Sequence, residues 1–249
     1  MSGYRSEFDT PEKARRYETV EYSETAYGSI LWNIEQTLLL NELNKVRTTK
    51  QHIDYLDFAC GTGRIISYLE RYVETATGID ISESMLAIAS EKIKLARIIC
   101  ADITRTPEIE GRYDFITAMR FFLNAEQPLR IAALIALRKR LRDRESRLII
   151  NNHGNLYSLK IILWPYHKLR EWAQVEPRRH YLTQGSLTRL ADQAGLEIVE
   201  VHGYGQLSAK AAKLMPQILV ETLERRLADF PVLKKIGVNQ MYVLRLRSN

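Results

Sequence analysis

Between residues 52 and 152, short apolar runs rich in β-branched residues alternate with stretches whose apolar positions recur every three or four residues. The short runs, near 52–58, 74–79, 96–101, 113–118 and 147–152, predict strands, and the spacing of Ile65, Leu69 and Tyr72 predicts a helix after the first of them. Strands and helices taking turns in this way imply a parallel sheet with helices on both faces and a ligand at the carboxyl ends of the strands. Further on, Leu187, Leu190 and Ala194, followed by Gly195, predict another helix, and 196–201 and 240–246 complete seven strands. Ahead of the core, Thr10 can cap a helix with Pro11 in its first turn, and Leu31, Ile34 and Leu38 share one face of a second helix ending near Val46. The expected fold class is α/β, a Rossmann-like, seven-stranded, mostly parallel sheet with an N-terminal helical lid over 1–50 and the main domain over 51–249.

Two stretches exceed what such a core requires. Residues 155–180 carry Leu156, Leu159 and Leu163 at helical spacing and then the aromatic and basic run Trp164 to Trp172. Residues 206–237 predict a helix from Pro216 with Leu219, Leu223 and Leu227 on one face, ended by Pro231. Long connections in a compact domain are usually functional, and these are expected to lie over or beside the strand ends. Both mix apolar stripes with Lys, Arg, Trp and Tyr, as interfacial segments do. Packing on the domain or on a second copy of the chain, as in a homodimer, is favoured over peripheral membrane contact.

The candidate chemistry sits at the end of the first strand. Asp57 closes an apolar run and Gly61-Thr62-Gly63 follows, a strand, glycine turn and helix of the kind that lines a nucleotide crevice. Glycine there permits positive φ and close approach of a ligand to the backbone. The second strand ends in Asp80, where a carboxylate can accept from both hydroxyls of a ribose. Ile81 and Met85 then offer apolar surface to a flat base, with Ser82 as a helix cap. The third strand ends in Asp102, suited to accept from an exocyclic amine, and the fourth leads into Met119-Arg120-Phe121-Phe122. A dinucleotide site would want a third glycine where Ile66 stands, and the carboxylate of Asp57 suits an ammonium and a sulfonium better than two phosphates. Both arguments favour S-adenosylmethionine.

On the segments 56–63, 78–86, 100–103 and 113–116, the sequence resembles the class I S-adenosylmethionine-dependent methyltransferases, in particular their small-molecule group. The resemblance covers roughly residues 52 to 154 well. It implies that Asp57 and the backbone of Ala59, Gly61 and Gly63 hold the methionyl part, Asp80 the ribose, and Asp102 with the Ile103 backbone the adenine, Met119 adding to the cofactor wall. It also implies an N-terminal lid, with Tyr17, Tyr22, Tyr27 and Trp32 as aromatic candidates for the acceptor wall, and a last strand inserted antiparallel beside the sixth. Two departures stand out. Ala59 replaces the first glycine of the loop, and Leu141 to Arg147 lacks the usual Pro-Gly-Gly turn before the fifth strand.

Composition and absences narrow the function. The formal net charge of +6 invites a nucleic-acid reading, but the run Arg138-Lys139-Arg140 ends a helix, where cations favour the macrodipole. After strand four there is no Asp or Asn followed by Pro-Pro and an aromatic, the signature of nucleic-acid amine methylation, so nucleic acid is disfavoured as a partner. The two cysteines, Cys60 and Cys100, fall in the cofactor region and are read as small buried residues, and no metal is expected. With neither signal peptide nor long apolar run, the expected location is cytoplasmic, with membrane-peripheral association as the alternative. Methyl transfer needs an in-line arrangement, and a hydroxyl acceptor benefits from a base. His153, just past the fifth strand, is the candidate base, and Arg120 and Asn124 are candidates to orient the acceptor. The expected activity is methyl transfer to a small, sugar- or lipid-linked acceptor at oxygen. N- or C-methylation of a metabolite, or S-adenosylmethionine binding without turnover, are the alternatives.

Overall fold

The computed structural model describes residues 10–21, 26–105, 111–155, 157–158, 169, 172, 181–207, 209–230 and 233–248. Helices α1 (Pro11–Glu21) and α2 (Ala26–Arg47) precede β1 (Asp54–Phe58), α3 (Arg64–Leu69), β2 (Thr75–Asp80), α4 (Glu83–Lys92), β3 (Arg97–Cys100) and β4 (Phe115–Ala118). Then come α5 (Gln127–Arg138), β5 (Arg147–Asn152), α6 (Gln184–Gln193), β6 (Leu196–Tyr204), the short α7 (Ala209–Ala212), α8 (Gln217–Asp229) and β7 (Asn239–Leu246). Several helix starts rest on side-chain caps that leave fewer amides unsatisfied. Thr10 accepts from the Lys13 amide, Ser82 from the Met85 amide at 3.2 Å and Thr183 from the Ser186 amide at 3.1 Å.

The strands form one sheet in the order β3-β2-β1-β4-β5-β7-β6. The first five run parallel, and β7 lies antiparallel between β5 and β6. All seven expected strands are present within two or three residues of their predicted bounds. The chain moves outward from β1 to β3 and then returns to β4, so the order reverses between β1 and β4. Such a switch point opens a crevice beyond the carboxyl ends of the strands.

Period-two alternation divides the core. Tyr55, Phe115, Ile149, Met241 and Val243 pack on one face with Ile34 and Leu43 of α2, Ile66 of α3, Ala89 of α4 and Val220 of α8. Leu56, Ile116, Ile150, Tyr242 and Leu244 pack on the other with Leu134 of α5 and Leu190 of α6. Each fully buried side chain of this size contributes about 1.5–3 kcal/mol. On the first face α2 is tied to β6 by a closed polar cluster. The Lys45 ammonium bonds Glu42 at 2.7 Å and Glu200 at 2.6 Å, and His202 Nε2 meets Glu42 Oε1 at 3.0 Å.

The second late stretch corrects the sequence reading. Its helix, α8, does not turn the Leu219, Leu223, Leu227 stripe squarely inward: Leu219 is exposed, and Ile218 is 74% exposed, while Val220 and Glu224 are buried. Glu224 sets this rotation. Its Oε1 accepts from the Leu207 amide (2.7 Å) and the Tyr27 hydroxyl (2.7 Å), and its Oε2 accepts from the Gly205 and Gln206 amides (3.1 Å each). Three backbone donors meeting one carboxylate outweigh the burial of a leucine edge. None of this stretch's described residues lines the crevice; α8 packs on α2 and β6 instead. Of the first stretch, Leu156, Leu159, Leu163 and Trp164 to Tyr166 lie outside the described residues, as does Tyr22. Its first residue, Asn155, is pinned beside β7, with Nδ2 donating to the Lys235 and Gly237 carbonyls at 2.9 Å each. No helix among the described residues is long and apolar enough to cross a membrane.

Candidate active site

The switch-point crevice encloses about 1060 Å³, counted out to the open solvent at its mouth. Its floor is the end of β1. Asp57 lies in register with Gly78 of β2 and Thr117 of β4, so its side chain emerges at the middle of the sheet. The Thr117 hydroxyl donates to Asp57 Oδ1 at 2.6 Å and, having given its one proton, accepts from the Tyr55 hydroxyl at 2.6 Å. Asp57 Oδ2 is buried with no hydrogen-bond partner. Burial pushes this carboxyl up to about 7, the charge of Asp80 adding to the rise while the Thr117 hydroxyl and Ile66 amide pull it down.

That shift has a measurable sign. A carboxyl raised in the folded state from its ordinary value of 3.8 stays protonated there over a range in which the unfolded chain has lost the proton. Its contribution to stability is therefore complete below pH 3.8 and is lost as pH rises to about 7. In urea unfolding of the ligand-free protein, Asp57→Asn should gain roughly 3 to 4 kcal/mol on the wild type between pH 4 and pH 8. A constant difference across that range would mean that Asp57 is ionised throughout.

The loop after β1 is shaped by left-handed residues. Ala59 (φ 53°), Gly61 (φ 55°) and Gly63 (φ 79°) turn the backbone tightly around the strand end. At Ala59 the family's glycine would adopt this conformation without the cost, about 1–2 kcal/mol, that a Cβ brings. At Gly63 a Cβ would also stand 3.0 Å from Ala89 Cβ, so helix α3 approaches α4 only because that atom is missing. Ile66, in the position a dinucleotide fold gives to glycine, is fully buried against Gly78 of β2.

The next strand ends supply the rest of this wall. Asp80 Oδ2 accepts from the Gly61 amide at 2.8 Å and Oδ1 from the Ser82 amide at 2.9 Å. Burial raises its pKa, and these amides with that of Ile81 act against the rise. Each oxygen keeps a lone pair for a further donor. Ile81 is 40% exposed and lines the crevice with Met85, Ala101, Phe121 and Leu129, leaving an open apolar slot. Asp102 also lines it, its Oδ1 accepting from the Thr104 amide at 2.9 Å. Met119 is on the lining, whereas the Ile103 side chain is buried in the core behind it.

Past β4, Arg120 has a left-handed backbone (φ 59°), unusual for so large a side chain. Its amide donates to Asn151 Oδ1, and its carbonyl accepts from Asn124 Nδ2 at 2.9 Å. This brace aims the Arg120 side chain into the crevice and gives Asn124 a structural bond outside the lining. Tyr17 from α1 lines the crevice. Tyr27 does not: its hydroxyl is held by Glu224 and the Leu207 carbonyl. His153 does not either, because the crevice opens between β1 and β4 and β5 stands one strand further out. Cys60 lines it as a free buried thiol, while Cys100 is free and exposed. Two polar lining groups have no counterpart in the sequence reading, Glu35 of α2 and Arg64 at the start of α3; Tyr204 of β6, buried outside the lining, donates its hydroxyl to Glu35 Oε1 at 2.8 Å. Arg64 follows the glycine loop directly, and Glu35 lies one helical turn from Leu31 and Leu38 of the α2 stripe; that placement is the available signal.

Residues 56–144, from β1 through α5, match the methyltransferase-domain family. This stretch carries a methyltransferase domain, and the chain's fold is similar to that of solved S-adenosylmethionine-dependent methyltransferases. Among curated relatives, an uncharacterized methyltransferase of Schizosaccharomyces pombe is 32% identical over 102 residues, covering 37% of this chain and 36% of its own length. The ubiquinone biosynthesis O-methyltransferase of Coxiella burnetii is 26% identical over 160 residues, covering 59% of this chain and 65% of its own. The chain thus spans between about a third and two thirds of these relatives. In fold it is similar to the magnesium protoporphyrin IX methyltransferase of Synechocystis with bound S-adenosylhomocysteine, at a TM-score of 0.61 and 15% identity over 98% of this chain and 97% of the other. The crevice fits the methyl donor on its own terms. The unpartnered Asp57 Oδ2 awaits a donor, and a Cβ on Gly61 would meet nothing within 4 Å, leaving bare backbone facing open space.

Proposed function

We propose that this chain transfers a methyl group from S-adenosylmethionine to a hydroxyl of a small, sugar- or lipid-linked acceptor. The observation that carries the donor half is the placement of Asp57, Asp80 and Asp102 at or just past three adjacent strand ends around one crevice. Asp80 would take the ribose hydroxyls on its remaining lone pairs. Ile81 and Met85 would cover one side of the adenine, with Asp102 and the Ile103 backbone at its amine. Asp57 and the backbone of Ala59, Gly61 and Gly63 would hold the methionyl end. S-adenosylmethionine supplies an electrophilic methyl carbon on a sulfonium. Tyr17 and Arg120 stand on the remaining wall, where they would orient the acceptor for in-line approach and keep water away.

Oxygen as the acceptor atom is supported by the Coxiella burnetii relative, an O-methyltransferase of ubiquinone biosynthesis. A lipid-linked acceptor fits the apolar side chains left in solvent near the second late stretch. Leu214 is 87% exposed beside Lys213, and Phe230 is 60% exposed. The test supplies the purified chain with methyl-labelled S-adenosylmethionine and a lipid and small-molecule extract of the source organism. The label should appear in a solvent-extractable product as an O-methyl group. Label on nitrogen or carbon would overturn the oxygen assignment, and no label at all would leave a donor-binding protein without turnover.

A further inference from the structure

We infer that Glu35 is the base of the transfer, taking the acceptor's hydroxyl proton, and that Tyr204 is the positioning residue that holds its carboxylate. The inference rests on the transferase reading above and adds a residue to it. Four carboxylates line the crevice: Glu35, Asp57, Asp80 and Asp102. The last three stand on strand ends along the donor wall, and Asp80 already spends an acceptor site of each oxygen on loop amides. Glu35 alone comes from a helix, α2, ahead of the sheet.

Its geometry is that of a held group with one oxygen in reserve. Tyr204 is buried at the end of β6, and its hydroxyl donates to Glu35 Oε1 at 2.8 Å. Burial, with the neighbouring Glu35 charge, raises the Tyr204 phenol well above its ordinary range, so it stays a donor; the Arg120 and Arg64 guanidiniums lie close enough to oppose that rise. Oε2 makes no hydrogen bond among the described residues, so it is available to a ligand hydroxyl. A carboxylate fixed through one oxygen and open at the other is the arrangement general-base catalysis needs. In the step, the acceptor oxygen forms its bond to the methyl carbon as the carbon–sulfur bond breaks. The electron pair of that bond stays on sulfur, which becomes a neutral thioether, and the hydroxyl proton passes to Glu35 Oε2.

The experiment compares wild type, Glu35→Gln and Tyr204→Phe, using methyl-labelled S-adenosylmethionine with the extract above and, separately, S-adenosylhomocysteine binding by calorimetry. Glu35→Gln should lower turnover about 100-fold or more while its S-adenosylhomocysteine affinity stays within about twofold of wild type. Tyr204→Phe should lower kcat about tenfold with the acceptor KM little changed, since it disturbs the base and not the pocket. Wild-type turnover in Glu35→Gln overturns the inference and leaves the transferase reading intact. A tenfold or greater loss of S-adenosylhomocysteine affinity in Glu35→Gln, about 1.4 kcal/mol, also overturns it, by assigning Glu35 to the donor site. If wild type itself labels nothing, both fall together.

Discussion

Asp80→Ala should weaken S-adenosylhomocysteine binding about 100-fold or more by calorimetry, with little loss of stability in the ligand-free protein. Two charge-assisted hydrogen bonds to a ribose diol are worth about 1.5–3 kcal/mol each, and the substitution removes both. It also frees the Gly61 and Ser82 amides that Asp80 now orders, so the loop beneath the ligand loosens as well. Folding should suffer far less, because burial raises the pKa of this carboxyl: the folded protein gains nothing from its charge. Asp80→Asn separates the two contributions. It keeps the shape and one acceptor oxygen but presents an amine to one of the two amides, so an intermediate loss, about tenfold, is expected. Unchanged affinity in Asp80→Ala would remove the ribose assignment.

What the sequence made readable was local. The Asp57 to Gly63 turn, Asp80 with its Ser82 cap, and the strand-to-helix alternation are each settled within a few residues, and the structure places these elements as expected. The site's second wall is different in kind. Glu35 and Tyr204 meet across 169 positions of sequence, and Arg120 owes its left-handed backbone to Asn151 on the neighbouring strand. No periodicity signals such pairs, because the sheet order that unites them is itself a tertiary outcome. His153 illustrates the opposite error. The argument that strand ends line the crevice holds for β1, β2 and β4 and, just past β3, for Asp102, and fails on the other side beyond β4, where His153 after β5 is not on the lining. A lone tyrosine such as Tyr27 does not reveal in sequence that a buried carboxylate on a helix far along the chain claims its hydroxyl.

That carboxylate sets the second large expectation. Glu224→Ala should destabilise the protein by about 3–5 kcal/mol in urea unfolding, since it strands three backbone amides away from water. The Gly205, Gln206 and Leu207 amides converge on it, and the Tyr27 hydroxyl closes the set, so α2, α8 and the turn after β6 share one anchor. Glu224→Gln preserves the outline but exchanges one acceptor oxygen for an amine that faces amide donors, and should cost about half as much. The effect should reach the site. Tyr204 immediately precedes the anchored turn, and Tyr27 sits two turns before Glu35 on the same helix, so loosening the anchor frees both ends of the Tyr204–Glu35 bond at once. Glu224→Gln should therefore lower turnover while S-adenosylhomocysteine still binds the Asp80 wall, which makes no contact with this anchor. A loss of donor affinity equal to the loss of turnover would instead show that the lid and the donor wall are held as one unit.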